Sequence, residues 1–235
     1  MGSLQVQKLT AGYAGTVIVR DLDLHVDAGE VVVLMGRNGV GKSTTLGAIA
    51  GNLQGTNGTV LIDGDPLTGP PYRRAGKGLG YVMEGRSVFQ SLTVRKNFEV
   101  AGAPLDSATE WFPELKPFLD RPAGTLSGGE QQMVALGRAL GQQPSVLLVD
   151  ELSFGLAPIV FHRLLDLLRA SAKAKSMAIL VVEQHLELAI GLADRALIMA
   201  SGEIALEIDG HDLARRAAEV ERLYLGGPEL HSTAI

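Results

Sequence analysis

Residues 31–50 read VVVLMGRNGVGKSTTLGAIA, and this stretch decides the fold class. Five apolar residues of buried-strand length come first, then the spacing G-x-x-x-x-G-K-S, then a helix-like run. Glycines in such a turn let backbone N–H groups point inward, and the start of the following helix favours negative charge. The stretch therefore predicts a phosphate-binding loop between a strand and a helix of an α/β protein, in preference to a plain Gly-rich turn.

The side chains of this loop have predicted tasks. Lys42 is expected to reach the terminal phosphates of a nucleotide, and the Ser43 hydroxyl to supply an oxygen to Mg²⁺. The predicted nucleotide-binding residues of the loop are Gly36, Arg37, Asn38, Gly39, Val40, Gly41, Lys42, Ser43 and Thr44.

Two further apolar strands end in residues that suit phosphate chemistry. SVLLVDE (145–151) would present Asp150 to Mg²⁺ and Glu151 to the water that attacks the γ-phosphate, and the alternative is an acidic turn at a strand end. AILVVEQH (178–185) ends in His185, which can hydrogen-bond the transferred group. The alternative for His185 is to cap the helix LELAIGL that follows.

A second helix start with glycines lies at TLSGGEQQMVALGRAL (125–140). Ser127, Gly128 and Gly129 precede the helix-like run, so this is a second candidate site for an anion. Because one nucleotide needs one cradle, a second one suggests an ATP that is bound from two sides.

Taken together, these motifs resemble those of the ATP-binding cassette (ABC) ATPases. GRNGVGKST matches the Walker A motif, LSGGEQQ the signature, VLLVDE the Walker B motif and His185 the switch histidine, in the order and spacing of the family. The resemblance implies an α/β P-loop NTPase fold with a mixed sheet core, an N-terminal antiparallel β subdomain and a small α-helical subdomain. It implies ATP and Mg²⁺ as the ligands.

The pattern of the whole chain predicts one nucleotide-binding domain with three parts. The first third has the pattern of an antiparallel sheet, with strands predicted at 4–9, 17–26, 30–35 and 59–64. Helical patterns then alternate with short apolar strands, as in a parallel sheet with crossover helices. These strands are predicted at 146–149, 178–182 and 196–200. We expect a core from 1–83 and 131–210, a helical subdomain over 84–130 with no strand signals, and a helical tail over 211–235.

Composition restricts the function classes. The net charge of −5 and the absence of a broad basic surface argue against nucleic-acid binding. The chain has no Cys, which excludes disulfides and thiolate metal sites. No apolar run approaches the roughly 18 residues of a membrane span, so work at a membrane would need other subunits.

The resemblance also implies partners. Tyr13 would stack on adenine, and two ATPase subunits, alike or different, would close head to tail. Ser127, Gly128, Gly129 and Glu130 of one subunit would then face the ATP of the other. Membrane permease subunits and an external solute-binding protein would complete a transporter, with this chain peripheral on the cytoplasmic face of the cell membrane.

Within the family, four stretches are similar to the ATPase subunits of branched-chain amino-acid importers: 83–98, 123–133, 154–158 and 224–227. The ATPases of urea or amide importers and of lipopolysaccharide exporters are the alternatives. A soluble cassette ATPase without a transporter and a regulatory module that binds ATP without hydrolysis are two further ones. Leu152 and Ala157 depart from the common family pattern, and the stretch from Phe98 to Leu126 is short.

Glu84 lies in GYVMEGRSVF (80–89), between a short apolar strand and a predicted helix. On this segment alone it reads as a solvated charge. In register with the family it takes the place of the usual Q-loop glutamine, which implies that its carboxylate binds Mg²⁺.

Overall fold

Two β-sheets with a helix between them form the centre of the molecule. The computed structural model describes residues 2–85, 87–151 and 158–224. The strands are β1 (Leu4–Tyr13), β2 (Thr16–Val26), β3 (Val31–Met35), β4 (Asn57–Ile62), β5 (Asp65–Pro66), β6 (Leu79–Val82), β7 (Val146–Asp150), β8 (Ala178–Glu183), β9 (Arg195–Ala200) and β10 (Glu203–Asp209). The helices are α1 (Lys42–Ala50), α2 (Pro71–Ala75), α3 (Val94–Ala101), α4 (Leu105–Trp111), α5 (Gly128–Gly141), α6 (Pro158–Lys175), α7 (Leu186–Leu192), α8 (Gly210–Leu213) and α9 (Ala217–Tyr224). Two 3₁₀ helices span Pro113–Phe118 and Ala123–Thr125.

The larger sheet has six strands in the order β10-β9-β3-β8-β7-β6. Five of them are parallel, and β10 runs antiparallel to β9 at the edge. Every residue of β3, β7 and β8 is buried, as expected for strands covered on both faces. Met35 pairs with Glu183 and Asp150 with Val182, so the carboxyl ends of these three strands lie side by side. The functional site is built along this edge.

The prediction that residues 30–35 belong to the antiparallel part is wrong. β3 pairs in parallel with β8 and β9 in the larger sheet. The physical reason lies in its composition, since VVVLM is apolar on both faces, whereas an antiparallel strand that faces water on one side alternates. The edge strand β10, with alternating burial, is an element that the sequence reasoning missed.

The smaller sheet is antiparallel, with the strand order β2-β1-β4-β5. Its apolar side chains and those of one face of the larger sheet form a common core around α1. Eight of the nine residues of α1 are buried, Ser43 being the exception. Because α1 is enclosed on all sides, it has no polar face to mark it as a surface helix.

The opposite face of the larger sheet is covered by helices. Phe98 of α3 and Phe112 pack beside Gly137 of α5, where an added Cβ would lie 3.2 and 3.3 Å from their ring atoms. Residues 87–127 contain α3, α4 and the 3₁₀ helices and, among the residues described there, no strand. Their side chains join the same core as the helical face of the sheet.

The architecture confirms the predicted α/β class with a mixed sheet, an antiparallel β sheet and helices. The division at 83, 130 and 210 stays a prediction. Across the three described ranges, no helix is both long enough and apolar enough to cross a bilayer.

Candidate nucleotide-binding and hydrolysis site

The loop at 36–44 leaves the buried end of β3 and runs into α1. Gly36 is required by close packing, because a Cβ there would lie 2.5 Å from the backbone oxygen of Met199. Gly41 has φ 113°, in the region that favours glycine, immediately before the first residue of α1. These two constraints shape a turn that brings the helix start back over the strand end.

Lys42 is folded into this loop and is only 5% exposed. Its Nζ donates to the backbone oxygens of Gly36, at 2.7 Å, and Arg37, at 3.0 Å. Burial lowers the pKa of Lys42, and the charges of Glu151 and Asp150 counteract this effect. The ammonium group is thus held at the loop close to the end of β7.

Asp150, at the end of β7, contacts the start of α1. The Ser43 hydroxyl donates to Asp150 Oδ1 at 3.1 Å, and Asp150 is 3% exposed. Burial raises the pKa of Asp150 to about 6, the charges of Glu84 and Glu151 add to the shift, and the Ser43 hydrogen bond and Lys42 oppose it. A hydroxyl and a buried carboxylate with excess negative charge around them form a donor set that suits Mg²⁺.

Glu84 lies in an exposed turn directly after β6. It is close enough for its charge to raise the pKa of Asp150 and that of Tyr81. Tyr81 is a residue that the sequence reasoning missed. Burial and then the charge of Asp150 raise the pKa of its hydroxyl, which therefore stays protonated beside the carboxylate. The structure brings Glu84 to the predicted site, and its role as a Mg²⁺ ligand stays a prediction.

Glu151 follows with φ 49°, a left-handed conformation that is strained for a non-glycine residue. Its N–H donates to the Val182 oxygen at 3.1 Å, and its carboxylate accepts a hydrogen bond from Gln184 Nε2. Gln184 is a further residue that sequence reasoning missed, although its place between the strand end and His185 was a signal. Leu152 and Ala157 lie outside the described residues.

His185 is exposed at the position before α7. His185 does take the N-cap position of this helix, as the alternative has it, but its side chain makes no capping hydrogen bond. Its backbone N–H donates to Glu183 Oε1 at 3.1 Å, and the same oxygen accepts from the Gln184 N–H at 2.8 Å. Glu183 is buried and thus shapes the turn that carries His185, a role that sequence reasoning also missed.

The predicted signature forms the start of α5. Ser127 precedes the helix, and its hydroxyl accepts a long hydrogen bond of 3.4 Å from the N–H of Glu130. The Glu130 carboxylate accepts from the N–H and the hydroxyl of Ser127, which completes a capping box. Gly128 and Gly129 form the first turn, within the helix and not ahead of it. Their role toward the ATP of another subunit stays a prediction.

Tyr13 ends β1 and is 52% exposed. Its charge is one of the influences that raise the pKa of Tyr81, so its side chain lies on the same side of the molecule as Asp150. This position is compatible with an adenine ring stacked on Tyr13, which stays a prediction.

Comparison with known proteins agrees with this geometry. The model of the family described as ABC transporter matches residues 19–153. A high-affinity branched-chain amino acid transport ATP-binding protein from Pseudomonas aeruginosa, BraG, is 37% identical over 95% of this chain and 100% of its own length. A probable branched-chain amino acid transport ATP-binding protein from Archaeoglobus fulgidus, LivF, is 35% identical over 95% of this chain and 98% of its own.

Solved structures show the same fold. One described as a nucleotide-free ATP-binding cassette from an ABC transporter has a TM-score of 0.85 at 24% identity and covers 95% of this chain and 99% of its own. An ATP-binding subunit of an ABC transporter has a TM-score of 0.80 at 28% identity and covers 95% and 98%. The chain therefore belongs to the ABC transporter family, as an ATP-binding and ATP-hydrolysing subunit of the kind that works with membrane permeases.

Proposed function

We propose that this chain hydrolyses ATP to power the import of branched-chain amino acids. ATP hydrolysis is supported by the position of five residues at the adjacent ends of β3, β7 and β8. These residues are Lys42, Ser43, Asp150, Glu151 and His185. The similarity to the Pseudomonas and Archaeoglobus transport proteins, over nearly the full chain, supports the solute class.

The loop at 36–44 and Lys42 bind the phosphates. Phosphate oxygens compete with the Gly36 and Arg37 oxygens for the Lys42 ammonium, while the backbone N–H groups at the start of α1 add positive potential. Ser43, Asp150 and Glu84 would hold Mg²⁺, which supplies positive charge that offsets the charge of the phosphates.

Glu151 polarises the attacking water, and His185 orients the γ-phosphate. The carboxylate of Glu151 now accepts from Gln184, so Gln184 competes with the water for the same oxygen. Glu183 accepts hydrogen bonds from the backbone N–H groups of Gln184 and His185 and so holds the backbone of both residues relative to β8.

A second ATPase subunit, alike or different, would complete the site. The start of α5 presents Ser127, Gly128 and Gly129 with backbone N–H groups that suit the phosphates bound to the partner subunit. Ser127 is exposed and available for this contact. Glu130 positions the serine through the capping box.

A groove beside Glu84 is the proposed docking site for the permease. A cavity of about 580 Å³ lies between α2, β6, the turn after β6 and α5. Tyr72, Met83 and Phe89 are large apolar side chains exposed at this groove, and they are 72%, 46% and 46% exposed. An apolar face of a permease helix would bury them, next to the residue proposed to bind Mg²⁺. On this proposal the chain lies on the cytoplasmic face of the membrane, and a binding protein delivers the solute from outside.

Uptake in cells tests the solute. Cells that lack this subunit should lose most uptake of labelled leucine, isoleucine and valine, and the wild-type chain should restore it. The Glu151→Gln variant, produced at the same level, should not. Restored leucine uptake by Glu151→Gln, or unchanged uptake in the deletion strain, would contradict the proposal.

Lipopolysaccharide export is the second candidate. The lipopolysaccharide export system ATP-binding protein of Escherichia coli, LptB, is 30% identical over 96% of this chain. Purification of the native complex separates the two functions, because the copurifying permease and the solute that stimulates ATPase activity differ. Uptake of labelled urea in the same assay tests the remaining alternative, a urea or amide importer.

A further inference from the structure

A second, smaller pocket lies at the opposite ends of the parallel strands, away from the nucleotide site. It has a volume of about 210 Å³ and is bounded by α4, the turn between α5 and β7, and the turn between α6 and β8. Pockets for drug-sized ligands have about 300–1,000 Å³, so this one suits a smaller metabolite and excludes a nucleotide. We call it the α4 pocket.

Part of its lining is apolar. Trp111, Leu140, Pro144 and Met177 all line it, and three of these four side chains belong to buried residues. Trp111 is partly exposed and offers its indole ring to the pocket. A ligand with an aliphatic group would cover the exposed part of the Trp111 ring.

Two side chains of opposite charge also line it. Glu110 comes from α4 and Lys175 from the end of α6, and both side chains are exposed. Among the residues that the structure describes, neither forms an ion pair with the other or with a third group. Ser107 adds a hydroxyl to the same lining. A ligand with one ammonium and one carboxylate group carries a partner for each of these charges.

We propose that the α4 pocket binds a small zwitterion with an apolar side chain, that is, a free aliphatic α-amino acid. The ammonium group of the ligand pairs with Glu110, its carboxylate pairs with Lys175, and its side chain packs against Trp111 and Met177. A simple carboxylate or amine satisfies one charge only and binds more weakly.

The position gives the site a regulatory meaning. α4 belongs to the helices that pack on α5, whereas Lys175 and Met177 flank the start of β8 in the sheet. A bound ligand therefore links α4 to the sheet and changes how freely the helices move relative to it. The further step, that the ligand is the imported solute and reports its internal level, rests on the proposed function.

The single Trp of the chain makes binding measurable. Leucine, isoleucine and valine should change the intrinsic fluorescence of the purified full chain without nucleotide, with a Kd below about 1 mM that calorimetry reproduces. Leucinamide lacks the carboxylate, 4-methylpentanoate lacks the ammonium group and glycine lacks the apolar side chain. Each should bind at least about threefold more weakly than leucine.

Two variants assign the charges. Lys175→Gln should weaken leucine binding about three- to fivefold and leave leucinamide binding unchanged, and Glu110→Gln should weaken binding of both ligands. Lys173→Gln and Glu99→Gln change exposed charges outside the lining and should bind leucine like the wild type.

No fluorescence change and no heat with leucine up to about 10 mM would overturn the proposal. Equal weakening of leucinamide and leucine by Lys175→Gln would overturn the charge assignment. Because the assay uses no permease and no ATP, its outcome is independent of the uptake test. Leucine binding together with failed leucine uptake would leave the site in place and remove only its link to transport.

Discussion

Glu84 adds a third negative charge to the two carboxylates that end β7. Burial already makes it costly to ionise Asp150, and the charges of Glu84 and Glu151 increase that cost. Such excess negative charge favours a divalent cation at the Ser43–Asp150 pair, because the cation offsets all three charges. The amide of a glutamine at position 84 would offer an oxygen without this charge.

Glu84→Gln removes this third negative charge. The concentration of Mg²⁺ that gives half-maximal ATPase activity should rise about threefold, while the rate at saturating Mg²⁺ stays close to the wild-type value. A Mg²⁺ titration of ATPase activity measures both. Glu99→Gln, an exposed glutamate on α3, is the matched control, and an unaltered titration in Glu84→Gln would return Glu84 to the role of a solvated charge.

Glu151 and Lys42 separate hydrolysis from binding. Glu151→Gln should bind ATP as the wild type does and lose more than about 100-fold in turnover, because an amide cannot act as a base toward water. Lys42→Ala should weaken ATP binding itself, since it removes the ammonium group that is predicted to bind the phosphates. Calorimetry gives the affinities and a phosphate-release assay the rates, and wild-type turnover in Glu151→Gln would contradict the assignment.

Glu183 acts through the turn that it holds. Glu183→Ala removes the acceptor of the Gln184 and His185 N–H groups, which should lower kcat at least about tenfold and change the ATP affinity little. Glu183→Gln keeps a carboxamide oxygen for the same N–H groups and should recover most of kcat. If Glu183→Gln were as impaired as Glu183→Ala, the charge of Glu183 and not its hydrogen bonds would be responsible.

At the scale of elements, a single buried amide ties α3 to the loop that precedes it. Asn97 Oδ1 accepts from the Phe89 N–H at 2.9 Å, and Asn97 Nδ2 donates to the oxygens of Phe89 and Thr93 at 3.0 Å each. The guanidinium of Arg138 on α5 lies 4.9 Å from the centre of the Phe89 ring and donates to the Ser87 oxygen. The wall of the groove proposed for the permease is thus held by both helices.

Asn97→Ala should therefore destabilise this wall. The lost hydrogen bonds leave partly buried backbone groups unsatisfied, which should lower the free energy of unfolding by about 1–3 kcal/mol. Thermal unfolding measures the loss, and amide hydrogen exchange should rise most over 87–93. Asn52→Ala is a control at an exposed asparagine, and unchanged exchange over 87–93 in Asn97→Ala would show that α3 does not hold the loop.

The sequence predicts those elements whose signal is local. The loop at 36–44 was predicted because G-x-x-x-x-G-K-S follows an apolar strand, and Asp150, Glu151 and His185 were found at strand ends. The pairing of β3 was not predicted correctly, because which strands are neighbours depends on residues such as Ile179 and Ala196, far away in the chain. Gln184 and Glu183 were missed because their hydrogen bonds depend on how the turn after β8 folds back.

At the scale of the whole molecule, Arg195 connects the two sheets. Its guanidinium donates to Glu30 Oε1 at 2.8 Å, to Glu207 at 2.8 Å and to the backbone oxygen of His25 in β2 at 2.8 Å. Arg195 opens β9 in the larger sheet, whereas His25 lies in the smaller one. No local pattern predicts such a contact, since Glu30 and Arg195 are 165 residues apart.

The ion pair between Arg195 and Glu30 predicts how the free energy of unfolding depends on pH in acid. Burial raises the pKa of Glu30, but hydrogen bonds from Arg195 and Asp27 and the charge of Arg195 hold it below its ordinary value. A carboxylate whose pKa is lowered by folding stabilises the protein above its unfolded pKa, and this contribution is lost as the pH falls through the folded pKa. Unfolding free energies from urea titrations should therefore fall between about pH 5 and pH 3, and less steeply in Glu30→Gln.

Two further variants test the contribution of the ion pair between Arg195 and Glu30. Glu203→Gln, an exposed glutamate at the start of β10, should keep the wild-type slope. Arg195→Met leaves Glu30 without its partner and should cost about 3–5 kcal/mol at neutral pH. Equal slopes for the wild type and Glu30→Gln would show that the pair contributes nothing to acid unfolding.

Helix α5 connects the two surfaces that are proposed to contact the partner subunit and the permease. Its 14 residues make a rod of about 21 Å, with Ser127 at one end and Arg138 near the other. On the proposed assignments, the first end meets the ATP of a partner subunit and the second supports the groove for the permease. A rod of this length that pivots by about 5° shifts its far end by about 2 Å, enough to break and remake hydrogen bonds. α5 would thus move as a rigid body, so that ATP binding by the partner subunit and movement of the permease occur together.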